Sequence, residues 1–267
     1  MIKYTFFTLA LILGLLACKP KNQKLAEAIY KLETSDTSST PAGMNELSDL
    51  YFKYAQEFSK DSIAEKYLFK GFMFKYITEH WDDAIKFANL YKSTYPVNEN
   101  THSINLKLAD LYARGKNNID SSVHYYLLAD GKIQFSTDEY RKAGAVLEKS
   151  IQGKPLSDSN ASKLYTAAKC YQLSAEFSNA VKLYSEVSNT YPKFNKSPDA
   201  LMAAGFICWN DLKELERAKV FYKQLVERYP ENELAKEASM ILSENILEMN
   251  EMQLAEYLMK KNKEKGR

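Results

Sequence analysis

The chain has 267 residues, of which 45% are hydrophobic, and its mean hydropathy is -0.43. This composition supports one or two soluble cores and excludes a protein that crosses a membrane many times. With 36 basic and 34 acidic residues, the net charge gives no electrostatic basis for nucleic-acid binding, and the small numbers of Gly (nine) and Pro (seven) favour long helices.

The N-terminus has the pattern of an export signal. Lys3 provides a positive charge, and residues 4–16 form an apolar run shorter than the roughly 20 residues of a membrane-spanning helix. The run ends in the motif LLAC at residues 15–18, which resembles the bacterial lipobox. The resemblance implies that residues 1–17 are a lipoprotein signal peptide and that Cys18 is acylated. An ordinary signal peptide and an uncleaved N-terminal anchor are the alternatives.

The residues after Cys18 indicate how the protein is anchored. Several acyl chains on one cysteine hold a protein stably on a membrane without spanning it. Lys19 stands where, by family resemblance, an Asp retains lipoproteins in the inner membrane, so the resemblance implies the periplasmic face of a Gram-negative outer membrane. Residues 18–44 are predicted to be a flexible tether, because residues 34–43 are rich in Ser, Thr and Asp. The folded domain is predicted to begin near Asn45.

Three segments of the remaining chain share a pattern in which an Ala lies twelve residues before the Pro of a Tyr-Pro pair. The three alanines are Ala84, Ala180 and Ala218. Their small size allows two helix axes to approach within roughly 8 to 10 Å. Each Pro disfavours helical backbone in the preceding Tyr, so the helices are predicted to end at Tyr95, Tyr191 and Tyr229.

A second amphipathic segment precedes each of these helices. The preceding segments span residues 63–77, 162–173 and 198–209, and they carry small and aromatic residues at helical spacing. The pairing, with its closing Pro, resembles the tetratricopeptide repeat, whose period is about 34 residues. The resemblance implies an all-α, right-handed helical solenoid of about five helix pairs over residues 45–267, with the function of a binding scaffold and no enzymatic activity.

The middle and the end of the chain depart from this pattern. Residues 103–114 and 120–129 are predicted to form one helix pair without a closing Pro, and residues 138–151 form a further helix whose partner the sequence leaves open. Residues 233–247 and 252–261 are predicted to be helices that cap the stack, because the end of a solenoid needs a polar outer face.

The cysteine and histidine positions give no sign of a metal or catalytic site. Cys170 and Cys208 each lie 22 residues before the Pro of their repeat, which predicts equivalent positions and two buried free thiols. Neighbouring helices are about 9 to 10 Å apart, beyond the roughly 7 Å Cα limit of a disulfide, which is the alternative in an oxidising compartment. His80, His102 and His124 share no predicted helix face. The prediction is a protein with no cofactor and no metal.

The candidate binding residues follow from the helix faces. In such a repeat, the first helices line a concave groove with positions that avoid the core. The predicted groove residues are Phe69, Met73, Tyr76, Tyr165, Lys169 and Gln172. Aromatic and amide groups on a rigid surface suit an extended or helical peptide.

Together these features resemble the lipid-anchored tetratricopeptide-repeat proteins of Gram-negative envelopes, among them the lipoprotein subunit of the barrel-assembly machinery. The resemblance implies a scaffold that binds other envelope proteins or their peptide segments and touches the membrane through acyl chains on Cys18. It covers the architecture only, because the middle repeats diverge and a long spacer precedes the solenoid. The alternative is a periplasmic solute- or peptide-binding protein, or an enzyme accessory subunit, that uses the groove as its pocket.

Overall fold

The computed structural model describes residues 20–96 and 98–265, and every regular element in these ranges is helical. The predicted signal peptide and Cys18, the predicted acylation site, lie outside the described residues. Within those ranges, none of the helices combines the length and the apolar character needed to cross a bilayer. The chain divides into two compact units, with the boundary between Ile133 and Gln134. They are called unit 1 and unit 2 below.

The helices follow one another through short connections. Unit 1 contains α1 (Lys21–Glu33), α2 (Pro41–Glu57), α3 (Ala64–Ile77), α4 (Trp81–Thr94), α5 (Asn100–Arg114) and α6 (Ile119–Ala129). Unit 2 contains α7 (Thr137–Ile151), α8 (Asp158–Leu173), α9 (Phe177–Thr190), α10 (Ser197–Asn210), α11 (Leu215–Arg228), α12 (Glu233–Ser243), a 3-10 turn (Ile246–Glu248) and α13 (Glu251–Lys265).

The predicted helix pairs are confirmed. The four predicted pairs, namely α3–α4, α5–α6, α8–α9 and α10–α11, pack as hairpins. Two contacts were not predicted: α1 packs on α2, and α7 packs on α8. The three repeat alanines are fully buried, as close helix packing requires. Tyr95, Tyr191 and Tyr229 are the C-cap residues of α4, α9 and α11. The sequence pattern therefore identified both the contact positions and the helix ends.

The described part of the segment predicted as a flexible tether is folded, which corrects that prediction. Ile29 of α1 is fully buried in the core of unit 1. Glu33, at the end of α1, accepts hydrogen bonds from Tyr51 Oη at 2.5 Å and from Lys70 Nζ at 2.7 Å. Helix α1 is therefore a structural part of unit 1, held by apolar burial and by a partly buried carboxylate.

The Ser, Thr and Pro residues between α1 and α2 are capping residues. Thr40 accepts a hydrogen bond from the backbone of Gly43, and Pro41 occupies the first helical position. The Ser35 hydroxyl donates to Leu32 O at the end of α1. The composition suggested a linker because the same residue types favour both linkers and helix ends.

The two units repeat the same order of five helices. Each residue of α2–α6 has a counterpart 96 residues later in α7–α11, as Trp81–Thr94 and Phe177–Thr190 show. The burial patterns agree in this register, so that Leu68 and Leu164 are both fully buried, as are Leu108 and Ala204. The turns agree too: Glu79 and Ala175 have φ of 58° and 60°, and Asn117 and Lys213 have φ of 47° and 58°.

The turns explain why one predicted equivalence is wrong. Three residues join α8 to α9, whereas four join α10 to α11. An alignment of α10 with α8 by the number of residues before the closing Pro is therefore wrong by one residue. The burial pattern pairs Cys170 with Ile207 and Cys208 with Tyr171. Both cysteines are nevertheless buried and free, as predicted.

The end of the chain also differs from its prediction. The helix predicted over residues 233–247 ends at Ser243, because Asn245 adopts left-handed backbone with φ of 54°. The 3-10 turn follows, and it buries Ile246 and Leu247. Helix α13 includes the predicted residues 252–261 and begins at Glu251.

Candidate functional site

The six predicted groove residues occupy counterpart positions on α3 and α8. The counterpart pairs are Phe69 with Tyr165, Met73 with Lys169, and Tyr76 with Gln172. Lys169 is exposed and the other five are half-buried, so the set follows the edge of the core in both units. Their part in binding stays a prediction. We call these positions, together with the matching ones on α5 (Leu106, Asp110 and Ala113) and α10 (Met202, Phe206 and Trp209), the stripe.

In unit 1, polar and aromatic neighbours occupy the stripe. The ring centroid of Phe69 lies 6.2 Å from that of the buried Tyr91. Tyr76 donates its hydroxyl hydrogen to Asp110 Oδ2 at 2.6 Å, and Arg114 Nη2 lies 2.6 Å from the same oxygen. Burial, together with the Asp110 carboxylate, raises the pKa of Tyr76 to about 12. The hydroxyl therefore stays protonated at neutral pH and holds this part of the stripe to α5.

In unit 2, one buried tyrosine connects two of the predicted residues. Tyr184 of α9 donates its hydroxyl hydrogen to Gln172 Oε1 at 2.9 Å, and its ring lies 5.5 Å from that of Tyr165 in an edge-to-face arrangement. Burial raises the pKa of Tyr184, so it remains a donor at neutral pH. Tyr165 and Gln172 thus have fixed orientations, whereas the exposed Lys169 does not share this contact.

A cavity of about 580 Å³ lies beside Tyr165. Most of its wall is apolar, and it comes from α8, α10, α11 and the C-terminal elements. The lining includes Tyr165, Met202, Phe206, Trp209, Tyr222, Leu234, Ile241, Leu247 and Leu254. The volume lies within the range of about 300 to 1,000 Å³ that is usual for ligand sites.

Sequence reasoning missed the stripe residues of α10. Met202, Phe206 and Trp209 lie in the positions that Tyr165, Lys169 and Gln172 occupy on α8. Phe206 is 45% exposed, and its ring lies 6.1 Å from that of Trp209. Allowing for the extra residue in the turn between α10 and α11 would have identified them.

The C-terminal segment closes one side of the cavity. Trp209 Nε1 donates a hydrogen bond to Leu247 O at 3.0 Å, which fixes the indole at the stripe position. Lys219 Nζ of α11 lies 2.8 Å from Glu248 Oε1. Leu254 of α13 adds a further apolar side chain to the wall. The chain beyond α12 is therefore part of the site.

Two carboxylates, Asp199 and Glu237, interrupt the apolar wall. Burial and the nearby negative charge of Asp199 raise the pKa of Tyr165. Burial raises the pKa of Tyr222 to about 12. Both tyrosines are therefore neutral at physiological pH, and the ionised charges of the wall are negative.

Cys208 and His80 are not among the residues that line the cavity. Burial raises the pKa of the Cys208 thiol to about 11, so it is protonated at neutral pH and is a poor nucleophile. His80 Nδ1 lies 2.9 Å from Thr78 O, in the turn before α4. Among residues 20–96 and 98–265, no three His, Cys, Asp or Glu side chains are placed to share a metal ion.

Comparison with known proteins finds one matching family and a distantly similar solved structure. Residues 199–232 match the tetratricopeptide repeat family, and this range includes most of α10 and all of α11. A solved structure described as "YrrB: a TPR protein with an unusual peptide-binding site" is similar over 72% of this chain and 99% of that chain, with 14% identity and a TM-score of 0.31. No curated protein matches the sequence. The fold is all-α and of the tetratricopeptide type.

Proposed function

We propose that the chain is a protein-binding scaffold and that the cavity of unit 2 receives an apolar side chain from a peptide segment of the partner. One observation carries this proposal: Tyr165 of α8 and all three stripe residues of α10, Met202, Phe206 and Trp209, line one mostly apolar cavity of about 580 Å³. A scaffold needs such a place because buried anchor side chains supply most of the free energy of binding at an interface.

The aromatic composition of the cavity supports a peptide as its occupant. Tyr165 and Trp209 have fixed orientations, through Tyr184 and Leu247 respectively, so binding costs little side-chain entropy. Phe206 is exposed, and its ring centroid lies 6.1 Å from that of Trp209. An anchor side chain that enters the cavity would cover Phe206 and exclude water from its ring.

The proposal is tested by selecting peptides from a random library on the full chain and measuring their affinity for two variants. Phe206→Ala removes the exposed ring at the cavity. Val220→Ala is the matched control, because Val220 of α11 is 50% exposed and does not line the cavity. We expect Phe206→Ala to weaken binding by roughly tenfold or more and Val220→Ala to leave it unchanged. Equal affinities of the two variants would contradict the proposal.

We also propose that the protein is a lipoprotein of the outer membrane, anchored through acyl chains on Cys18 with its helical units on the periplasmic face. The support is the LLAC motif at residues 15–18 after a positively charged residue and a short apolar run. Metabolic labelling with an alkyne fatty acid tests it. The wild-type chain becomes labelled and sediments with membranes, and Cys18→Ala loses both properties. Continued labelling of the variant would exclude acylation at Cys18.

A second candidate function, binding of a small apolar solute, is favoured by the size of the same cavity. The two functions differ in which kind of ligand stabilises the protein against heat. A solute function predicts that extracts of small molecules raise the melting temperature of the full chain but not that of Phe206→Ala. A peptide function predicts this shift only with peptides.

A further inference from the structure

We infer that the cavity of unit 2 selects a cationic amphipathic segment, in which a Lys or Arg adjoins the apolar side chain that enters the cavity. This inference rests on the proposed function and specifies the chemistry of the partner. The observation behind it is the charge of the wall: Asp199 and Glu237 line the cavity together with apolar and aromatic groups, and no basic side chain is among the lining residues that the structure describes.

Docking changes the surroundings of the two carboxylates. The Asp199 side chain is one-third exposed and Glu237 is exposed, so water solvates both before a partner binds. An apolar anchor removes part of that water. A neutral segment would remove water from both carboxylates and supply no positive charge in return, whereas a Lys or Arg offsets the lost hydration by direct pairing.

The aromatic rings of the wall favour the same charge. Phe206, Trp209 and Tyr165 line the cavity, and the face of an aromatic ring attracts a cation. A carboxylate on the peptide would meet two negative charges and no lining cation. The wall therefore favours a positive over a negative charge on the peptide. This preference adds specificity to the contact with the apolar anchor.

Asp199 already has a positive neighbour. Lys196 Nζ is 3.1 Å from Asp199 Oδ1, three residues earlier in the chain, and its side chain is half-exposed. Solvated pairs of this kind contribute little stability, so a peptide cation can replace Lys196 at low cost. Lys196 does not line the cavity.

The experiment uses the peptides selected from the random library on the full chain. We expect their common pattern to contain Lys or Arg next to the apolar residue on which binding depends. Replacing that basic residue by Gln should weaken binding to the wild-type chain by about tenfold, but by less than about threefold to the double variant D199N/E237Q. The matched control is E186Q/E227Q, which neutralises two exposed carboxylates of α9 and α11 outside the cavity. The control should retain the tenfold effect.

The outcomes separate this inference from the proposed function. Two results would overturn the cation inference while Phe206→Ala still abolishes binding and the peptide site remains. In the first, the selected peptides lack a basic residue. In the second, replacing that basic residue by Gln weakens binding equally to the wild-type chain and to D199N/E237Q. If the peptides bind Phe206→Ala as tightly as the wild-type chain, the proposed function itself fails. A basic pattern whose effect disappears in D199N/E237Q supports both.

Discussion

Units 1 and 2 share five helices in register, and their stripes differ most clearly in chemistry at the position of Asp110 and Phe206. Asp110 of α5 and Phe206 of α10 are counterparts. In unit 1 the Asp110 carboxylate holds Tyr76 and Arg114. In unit 2 the Phe206 ring lies at an apolar cavity and is 45% exposed. The comparison teaches that the repeat determines where the stripe lies, while single residues determine whether it is held by internal hydrogen bonds or offers a binding surface.

The largest expected effect tests whether the two units share one core pattern. Leu68 and Leu164 are counterparts and are 0% and 1% exposed. Changing either to Ala should lower the free energy of unfolding by about 3 kcal/mol, because it leaves a cavity in a packed core. Chemical denaturation followed by circular dichroism measures this loss. A neutral effect in one unit alone would show that the register between the units is misassigned.

Helix α1 has no counterpart in this comparison, and Ile29 tests whether it belongs to the fold. Changing Ile29 to Ala should cost about 2 kcal/mol, because it leaves a cavity where a fully buried side chain was. Tyr30→Ala is the control, since Tyr30 is 68% exposed on the same helix. If both variants are as stable as the wild-type chain, α1 behaves as the flexible tether that its sequence suggested.

The counterpart pair itself gives a third test. Asp110→Ala should cost about 1 to 2 kcal/mol, because it removes charge-assisted hydrogen bonds to Tyr76 and Arg114. Phe206→Ala should cost less than about 1 kcal/mol, because the ring is largely solvated. Denaturation of the two variants under one condition compares them directly. A larger loss for Phe206→Ala would mean that its main role is in the core.

Asp110→Ala should also change a titration. The pKa of Tyr76 is raised to about 12 by burial and by Asp110, so it falls in the variant but stays above its ordinary value of 10. A raised tyrosine pKa contributes stability that is complete below pH 10 and is lost as the pH rises through about 12. The variant should lose this contribution at a lower pH. Ultraviolet difference spectra of tyrosine ionisation, with Tyr76→Phe as the reference, measure the shift.

Substitutions in the turns should change the free energy of unfolding by a smaller amount, and they should raise it. Ala175 has φ of 60°, in a region that costs a non-glycine residue about 1 kcal/mol. Ala175→Gly should therefore stabilise unit 2 by about 0.5 kcal/mol, after subtracting the greater freedom of Gly in the unfolded chain. Glu79→Gly should do the same in unit 1, because its turn has the same form. Destabilisation by both changes would contradict the backbone conformation described for the turns.

The smallest expected effect concerns Lys169, the exposed member of the stripe. Changing Lys169 to Ala should alter stability by less than about 0.5 kcal/mol, since the side chain lies outside the core. Its counterpart Met73 packs against the core of unit 1, and Met73→Ala should cost more. Thermal unfolding of the two variants shows which substitution lowers the melting temperature more.

Much of the fold could be predicted from the sequence because its signals are local. The Ala twelve residues before the Pro of a Tyr-Pro pair marks a close helix contact because it is small. The Pro marks the helix end because its ring disfavours helical backbone in the Tyr before it. The fold of α1 could not be predicted in this way. Its burial depends on Ile29 meeting distant parts of the chain, while the Thr and Pro residues near residue 40 are typical of linkers and of helix caps alike.

The site could be predicted only in part. The stripe on α3 and α8 follows from helical spacing, and five of its six residues lie half-buried beside the core. The cavity could not be predicted, because it depends on the one-residue difference between two turns and on the path of the chain after Asn245. The contact of Trp209 with Leu247 joins residues far apart in sequence, and no periodic pattern encodes it.

The central claim is that unit 2 binds its partner at the cavity, and site-specific photo-crosslinking in living cells tests it most directly. A benzophenone amino acid is placed at position 206 in one strain and at position 220 in another, both exposed apolar positions of unit 2. The account predicts a discrete crosslinked product from position 206 and none from position 220. The same product from both positions, or from position 220 alone, would contradict it.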